Sequence, residues 1–473
     1  MNEINEELKK RYFILSILGL VLIIAVLAYF IITNNINNKV TTENSSNTSI
    51  SSDESDDITN DSSTDINSDT TTTTSATITT GGTHNITGEN SCIVINTTES
   101  VELVITNATI TCKSGPAINV EAASNVNITL SGDNVITSAT TESLDGAIYS
   151  KSNLTISGSG SLKVTSNYDG IVSKDDLVIN GGTYTINVSD DGIRGKDSVE
   201  INGGSFTITA GGDGIKSTND EDSTKGYIII NDGTFNITSV NDAIQAVTNL
   251  TIKDGSFTIK TTGNSSTDSA KGLKADTLIT IDGGTFDINT TDDAIHSNGN
   301  LTINKGSFKI TSKDDGIHAD GMVIINDGTL NISATEGIEG TYVKINGGTI
   351  NISATDDGIN AGNKSSAYST TIEINGGNIT ISMGSGDTDG IDSNGSIYIN
   401  GGTINITANS PFDYDGEAKY TGGTIIVNGT TTNQITNQQM GGGEMGGQDP
   451  NQGNMNQNGG PDGNQVQRQG GRP

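Results

Sequence analysis

Along most of this chain apolar and polar residues alternate with a period of two, in short runs. Val199 and Ile201 flank Glu200, and Leu301 and Ile303 flank Thr302. Each run ends in Asn-Gly-Gly, Asn-Asp-Gly or a close variant. A second alternating run follows, such as Phe206 and Ile208 or Phe308 and Ile310. Alternation predicts strands with one buried face, and the Gly-containing triplets predict turns that tolerate positive φ. A third short element, Gly-Ile after an acid, then begins the next unit. The acid is Asp169, Asp191, Asp213, Asp242, Asp293, Asp315, Glu336, Asp357 or Asp389, and Ala replaces the Gly after Asp242 and Asp293. Lys271 takes the acidic position once, and Asp145 begins a looser copy.

The uninterrupted steps are 22 residues, as from Asp169 to Asp191, or 21, as from Asp315 to Glu336. Longer steps carry insertions at 218–225, 263–269 and 362–369. A fixed period with insertions at few points predicts a solenoid. Three short strands in about 22 residues predict an all-β fold, a parallel β-helix, right-handed because parallel crossovers take that hand. The nine-residue Gly-Gly-x-Gly-x-Asp repeat of calcium β-rolls is absent. Stacking at ~4.8 Å should align equivalent residues. Tyr184, Phe206, Phe235, Phe257, Phe286 and Phe308 would form one row, continued by Leu330, Ile350, Ile379 and Ile404. Exposed aromatics can be sugar platforms, but this row shares the parity of the apolar strand residues and is expected inside.

The pattern breaks at both ends. Residues 1–11 read as a short cytoplasmic segment, and residues 12–32 carry no charge. A helix of that length, at ~1.5 Å per residue, would span ~30 Å, one bilayer core. Lys9, Lys10 and Arg11 before it predict a single-pass signal anchor in the cell membrane, with the rest of the chain extracellular. A cleaved signal peptide is the rival reading; the run is longer than usual and no small-residue cleavage site follows. Residues 33–80 are rich in Ser, Thr, Asn and Asp and read as a disordered stalk. Residues 81–432 hold the repeat, and residues 433–473, rich in Gln, Gly and Asn, read as a disordered tail.

Composition narrows the partners. The formal charge of −32 argues against nucleic acid and favours a cationic or cation-bridged partner. Cys92 and Cys112, the two cysteines, lie 20 residues apart, close to one coil. They are either a disulfide across the first coils or two buried thiols.

The candidate chemistry is the acidic corner. Stacked carboxylates at ~5 Å repel by ~1 kcal/mol per pair in water. Calcium, which takes six to eight oxygens, would relieve that repulsion. The candidate metal ligands are Asp292, Asp293, Asp314 and Asp315; Asp190, Asp191 and Asp213; and Asp356, Asp357 and Asp389. Asp before Gly is also ordinary turn chemistry, so a single acid signifies little. A second row follows the Gly-Ile element: Arg194, Lys216, Gln245, Lys274, His296, His318, Glu339, Asn360 and Asp392. Its polarity predicts a solvent-facing row, with Arg194, Lys216, Lys274, His296, His318 and Asn360 as candidate ligand-binding residues.

The D-D-G-I and I-N-G-G-T-F repeats, behind one apolar segment and a Ser/Thr-rich stalk, resemble a family of calcium-binding, carbohydrate-binding cell-surface proteins of clostridia and related Gram-positive bacteria. The resemblance covers roughly residues 81–429. It implies a right-handed parallel β-helix similar to polysaccharide lyases, calcium on the Asp pairs, and binding of cellulose-like or pectin-like polysaccharide. Three functions follow. The first is a non-catalytic, calcium-loaded polysaccharide binder. The second is a calcium-dependent pectate lyase, with Lys271 and Lys274 as the candidate bases and Arg194 and Lys216 behind them. The third is a structural adhesin without a sugar site.

Overall fold

In a computed structural model, residues 75–437 are described, apart from 141, 142, 268, 386 and 387. The expected anchor at 12–32, nearly all of the stalk and most of the tail lie outside the described residues. Among the described residues no helix is long and apolar enough to cross a membrane.

The chain winds into a parallel β solenoid, and each coil contributes to three faces. One coil runs from the corner strand Ile193–Gly195, through Ser198–Ile201, to Ser205–Ala210. Each strand pairs in parallel with its counterpart one coil on: Ile193 with Ile215, Val199 with Ile228, Phe206 with Phe235. The described exceptions to parallel pairing are the terminal Thr424–Val427 with Thr430–Thr432 and an isolated bridge between Gly115 and Ala139. The first strand, Ala76–Ile78, lies within the segment whose composition suggested stalk, and it pairs with Ile93–Asn96. Alternation there is too short to stand out from the Thr-rich sequence around it.

The alternation has the expected effect. On Ser205–Ala210 the odd-numbered residues are exposed and Phe206, Ile208 and Ala210 are buried. The aromatic row is internal. From Tyr184 to Phe308 successive rings stack with centroids 4.6–4.9 Å apart and planes within 2–4° of parallel. Burying each ring contributes ~2–3 kcal/mol, and the row continues in register through Leu330, Ile350, Ile379 and Ile404.

Two glycine positions set the coil's shape. Gly204, at φ 123°, turns the chain before the Phe206 strand; a Cβ there would lie 3.0 Å from Gly182 O. At the acidic corner Gly192 is required by closeness, since a Cβ would meet Gly214 O at 2.5 Å. Cys92 and Cys112 form a disulfide, which decides between the two readings of that pair.

Candidate functional site: the acidic corner

The corner lies where the third strand of one coil turns into the first strand of the next. Burial there comes from the stacked coils: Asp169, Asp191, Asp213, Asp242, Asp293 and Asp315 are buried, whereas Asp190, Asp314 and Asp356 are exposed. Buried carboxylates need partners, and the backbone of the next coil supplies one. Asp169 Oδ1 accepts the N–H of Asp191 at 3.0 Å. Asp191 Oδ1 accepts that of Asp213 at 2.8 Å, Asp213 Oδ1 that of Asp242 at 2.9 Å, and Asp242 Oδ1 that of Lys271 at 2.8 Å. The pattern resumes from Asp293 to Asp315 and from Asp357 to Asp389. One oxygen of each of these acids therefore ties adjacent coils together.

The other oxygen faces the second row, which stacks in the expected register from Arg194 through Lys216, Gln245, Lys274, His296, His318, Glu339 and Asn360 to Asp392. Its expected exposure is corrected: the row is half-buried, and Glu339 is buried. The reason is electrostatic, because its cations lean in over the acids. Arg194 contacts Asp145 and lies 2.5 Å from Asp169 Oδ2. Lys216 Nζ is 2.5 Å from Asp213 Oδ2, and Lys274 Nζ is 3.6 Å from Asp242 Oδ2. Lys271 Nζ sits 2.6 Å from Asp292 Oδ2 and 3.6 Å from Asp293 Oδ2. His296 Nδ1 is 2.6 Å from Asp293 Oδ2, and His318 Nδ1 is 2.9 Å from Asp315 Oδ2.

The expected acidic clusters are only partly assembled. Ligand oxygens of Asp292, Asp293 and Asp314 lie within 4.8 Å of one another, while Asp315 joins His318 and Glu339 instead. Asp190 and Asp191 converge with Asp169 rather than with Asp213. Asp356, Asp357 and Asp389 form no such triplet among the described residues. The separation of Asp213 from Asp190 follows from Lys216, which draws the Asp213 carboxylate towards itself.

Burial raises carboxyls along the whole corner: Asp169 reaches about 7 and Asp213 about 6, although Arg194 and Lys216 oppose the rise. Burial pushes Asp293 up, but His296, Lys271 and His318 outweigh it and hold the carboxyl below its ordinary value. Burial alone would lower Lys271; Asp293, Asp292 and Asp242 reverse this and raise it. Arg194 and Lys216 are likewise raised by their acids against burial. Further along, burial pushes Glu336 up to about 8, with Glu339, Asp315 and Asp357 adding repulsion against a hydrogen bond from Asn360. Burial raises Asp357 to about 7, and its charged neighbours Asp392, Asp356 and Asp389 are all acids. Asp392 reaches about 6 by burial and by the carboxylates of Asp389, Asp413 and Asp415.

Several participants escaped the sequence reading. Lys364 Nζ lies 2.9 Å from Glu339 Oε1, but it sits in the 362–369 insertion, outside the period. Asn298 holds His296 through Oδ1 and donates to Asp276; extending the second row by two residues would have found both. On the outward side of the third face, a groove of about 370 Å³ runs past Lys309, Thr311, Asn331, Ser333, Asn351 and Ser353.

A search among curated proteins finds no match. A solved structure described as the polysaccharide lyase-like protein from C. thermocellum, as a gadolinium derivative, is 28% identical to this chain. The match covers 50% of this chain and 91% of that one, with a TM-score of 0.37. The family model for carbohydrate-binding domain-containing proteins matches residues 69–316 and 310–442, so nearly the whole solenoid is covered, and the chain belongs to that family.

Proposed function

We propose that this protein is a non-catalytic binder of polysaccharide, cellulose-like or pectin-like, held at the outer face of a Gram-positive cell membrane by its N-terminal apolar segment and loaded with calcium. Family membership supports the carbohydrate partner. The observation that carries the non-catalytic reading is repetition: the corner arrangement recurs coil after coil, whereas a catalytic constellation would be unique.

A lyase would need a base that gives up its proton near neutrality. Lys271, Arg194 and Lys216 are all held protonated by adjacent carboxylates. Lys274 lies beside Asp242 and Ser269. These pairings favour charge neutralisation over proton abstraction.

The donor sets fit calcium unequally. Around Asp190, Asp191 and Asp213, and around Asp292 and Asp293, basic side chains already lie on the carboxylates. Around Asp356, Asp357 and Asp389 the neighbours that shift Asp357 and Asp392 are acids, so a divalent cation would relieve the repulsion there. Those residues are the preferred holders on charge, and a bound ion would have to draw together carboxylates that do not converge without it. Bound calcium would bridge the acidic surface to hydroxyl or carboxylate oxygens of the polymer. The winding is taken as right-handed, in keeping with parallel crossovers generally.

Pull-down on insoluble cellulose and on pectin, with calcium or with chelator, tests the reading. Retention that requires calcium and is lost in an Asp356→Asn, Asp357→Asn variant is the expected result. Release of unsaturated uronate from polygalacturonate, seen as ultraviolet absorbance, would instead establish the lyase. Failure of both polymers to retain the protein in calcium would favour the adhesin.

A further inference from the structure

The chain has three histidines, and two of them stack on adjacent coils of the acidic corner. The rings of His296 and His318 lie 4.7 Å apart, tilted by 60°. Both turn Nδ1 towards one carboxylate oxygen, Asp293 Oδ2, at 2.6 Å for His296 and 3.8 Å for His318. His318 Nδ1 also lies 2.9 Å from Asp315 Oδ2 and 3.3 Å from Glu339 Oε2. The ligand atoms of Asp293, His296 and His318 fall within 4.8 Å of one another, as do those of Asp315, His318 and Glu339. The two triplets share His318.

A second observation concerns the far side of His296. Its Nε2 is 2.8 Å from Asn298 Oδ1, and the Asn298 amide is oriented by its own N–H donation to Asp276 Oδ1 at 2.9 Å. Both ring nitrogens therefore face acceptors. With an N–H at Nε2 directed to Asn298, Nδ1 is left to face Asp293, where a metal ion could be shared between them. An imidazole whose remote N–H is fixed by an oxygen acceptor is the usual support of a metal-ligating histidine. His318 Nε2 is buried without a hydrogen bond, and Asp320 Oδ1 lies 3.4 Å from it.

We propose that His296 Nδ1, His318 Nδ1 and Asp293 Oδ2, completed by Asp315 or Glu339, form a binding site for a divalent transition metal of the zinc class. Two imidazole nitrogens with two carboxylate oxygens suit a four-coordinate ion of that class and suit calcium poorly. The bound ion would lie between His296 and Asp293 and clamp two successive coils with Asp315, or three with Glu339. The site is independent of the acid-only group at Asp356, Asp357 and Asp389, so either can fail without the other.

The test is titration of the full chain with cobalt(II) in excess calcium, followed by visible ligand-field absorption and then by displacement with zinc. A stoichiometric, intense four-coordinate spectrum that zinc abolishes is expected. Asn298→Ala, which touches no metal, should weaken cobalt affinity by about 10- to 100-fold. His296→Gln should remove the four-coordinate spectrum, and Asp356→Asn should leave it intact; circular dichroism checks that each variant is wound. Only the weak spectrum of six-coordinate oxygen ligation, or equal affinity in wild type and His296→Gln, would overturn the site.

Discussion

The acidic corner of the middle coils and that of the last coils share one backbone path but differ in what neutralises them. Between Asp145 and Asp293, Arg194, Lys216, Lys271 and Lys274 lie directly on the carboxylates. From Glu336 to Asp389 the corner is acidic on each coil; Asn360 separates Glu339 from Asp392 in the second row, Asp392 pairs in register with Asp413, and Lys364 reaches Glu339 only from an insertion. The middle coils use the ladder to hold themselves together with their own cations. The last coils carry charge that their own basic residues do not balance: burial raises carboxyls in both regions, but Arg194 and Lys216 oppose the rise at Asp169 and Asp213, whereas neighbouring acids add to it at Asp357 and Asp392. A repeated motif thus marks where acids gather, while the counter-charge decides whether a coil is self-sufficient or needs an external ion.

Removing a cation from the middle coils should have the largest effect. Arg194→Met leaves Asp145 and Asp169 facing each other without their shared guanidinium. Uncompensated buried charge of this kind costs about 3–5 kcal/mol, and urea unfolding should show it. The same variant should gain stability from added calcium, because it makes a middle coil resemble a late one. A loss that calcium leaves unchanged would break the comparison.

Adding calcium to the wild-type chain should come next. At 100 times its dissociation constant, an ion bound only to the wound state stabilises by about 2.7 kcal/mol. Asp357→Asn should reduce that gain in thermal melts, and Lys271→Met should not.

Glu336 gives the pH dependence. Its carboxyl is raised from 4.5 to about 8, so the wound state binds this proton more tightly than the unwound chain. Its contribution is fully present below pH 4.5 and is lost as pH rises through about 8. In chelator, melting temperature should therefore fall between pH 5 and 9. Glu336→Gln should flatten that fall, with a gain on the order of 2–3 kcal/mol at pH 9 and almost none at pH 4.

The smallest effect is the control. Lys309 and Asp287 pair at 3.0 Å with side chains 70% and 54% exposed. Lys309→Ala should change stability by less than about 0.5 kcal/mol. A larger change would show that burial is not what separates the important ion pairs from the incidental ones.

The sequence by itself determined the winding. A period of two within strands and of 21 or 22 between units leaves one way to put Phe206, Phe235 and Phe257 inside, and the same register lines up Asp169, Asp191 and Asp213 and puts His296 beside His318. Register is periodic, so it can be read from spacing alone. The stacking decided what those rows do. Alternation says which face a residue takes but not how deeply a corner is buried, nor that Asp191 Oδ1 would reach the N–H of Asp213. Partners that came from outside the period, such as Lys364, appeared only in three dimensions, whereas Asn298, two positions beyond the row, was within reach of the spacing. Charge balance is a sum over neighbours in space, and a one-dimensional repeat specifies the positions entering that sum without specifying its value.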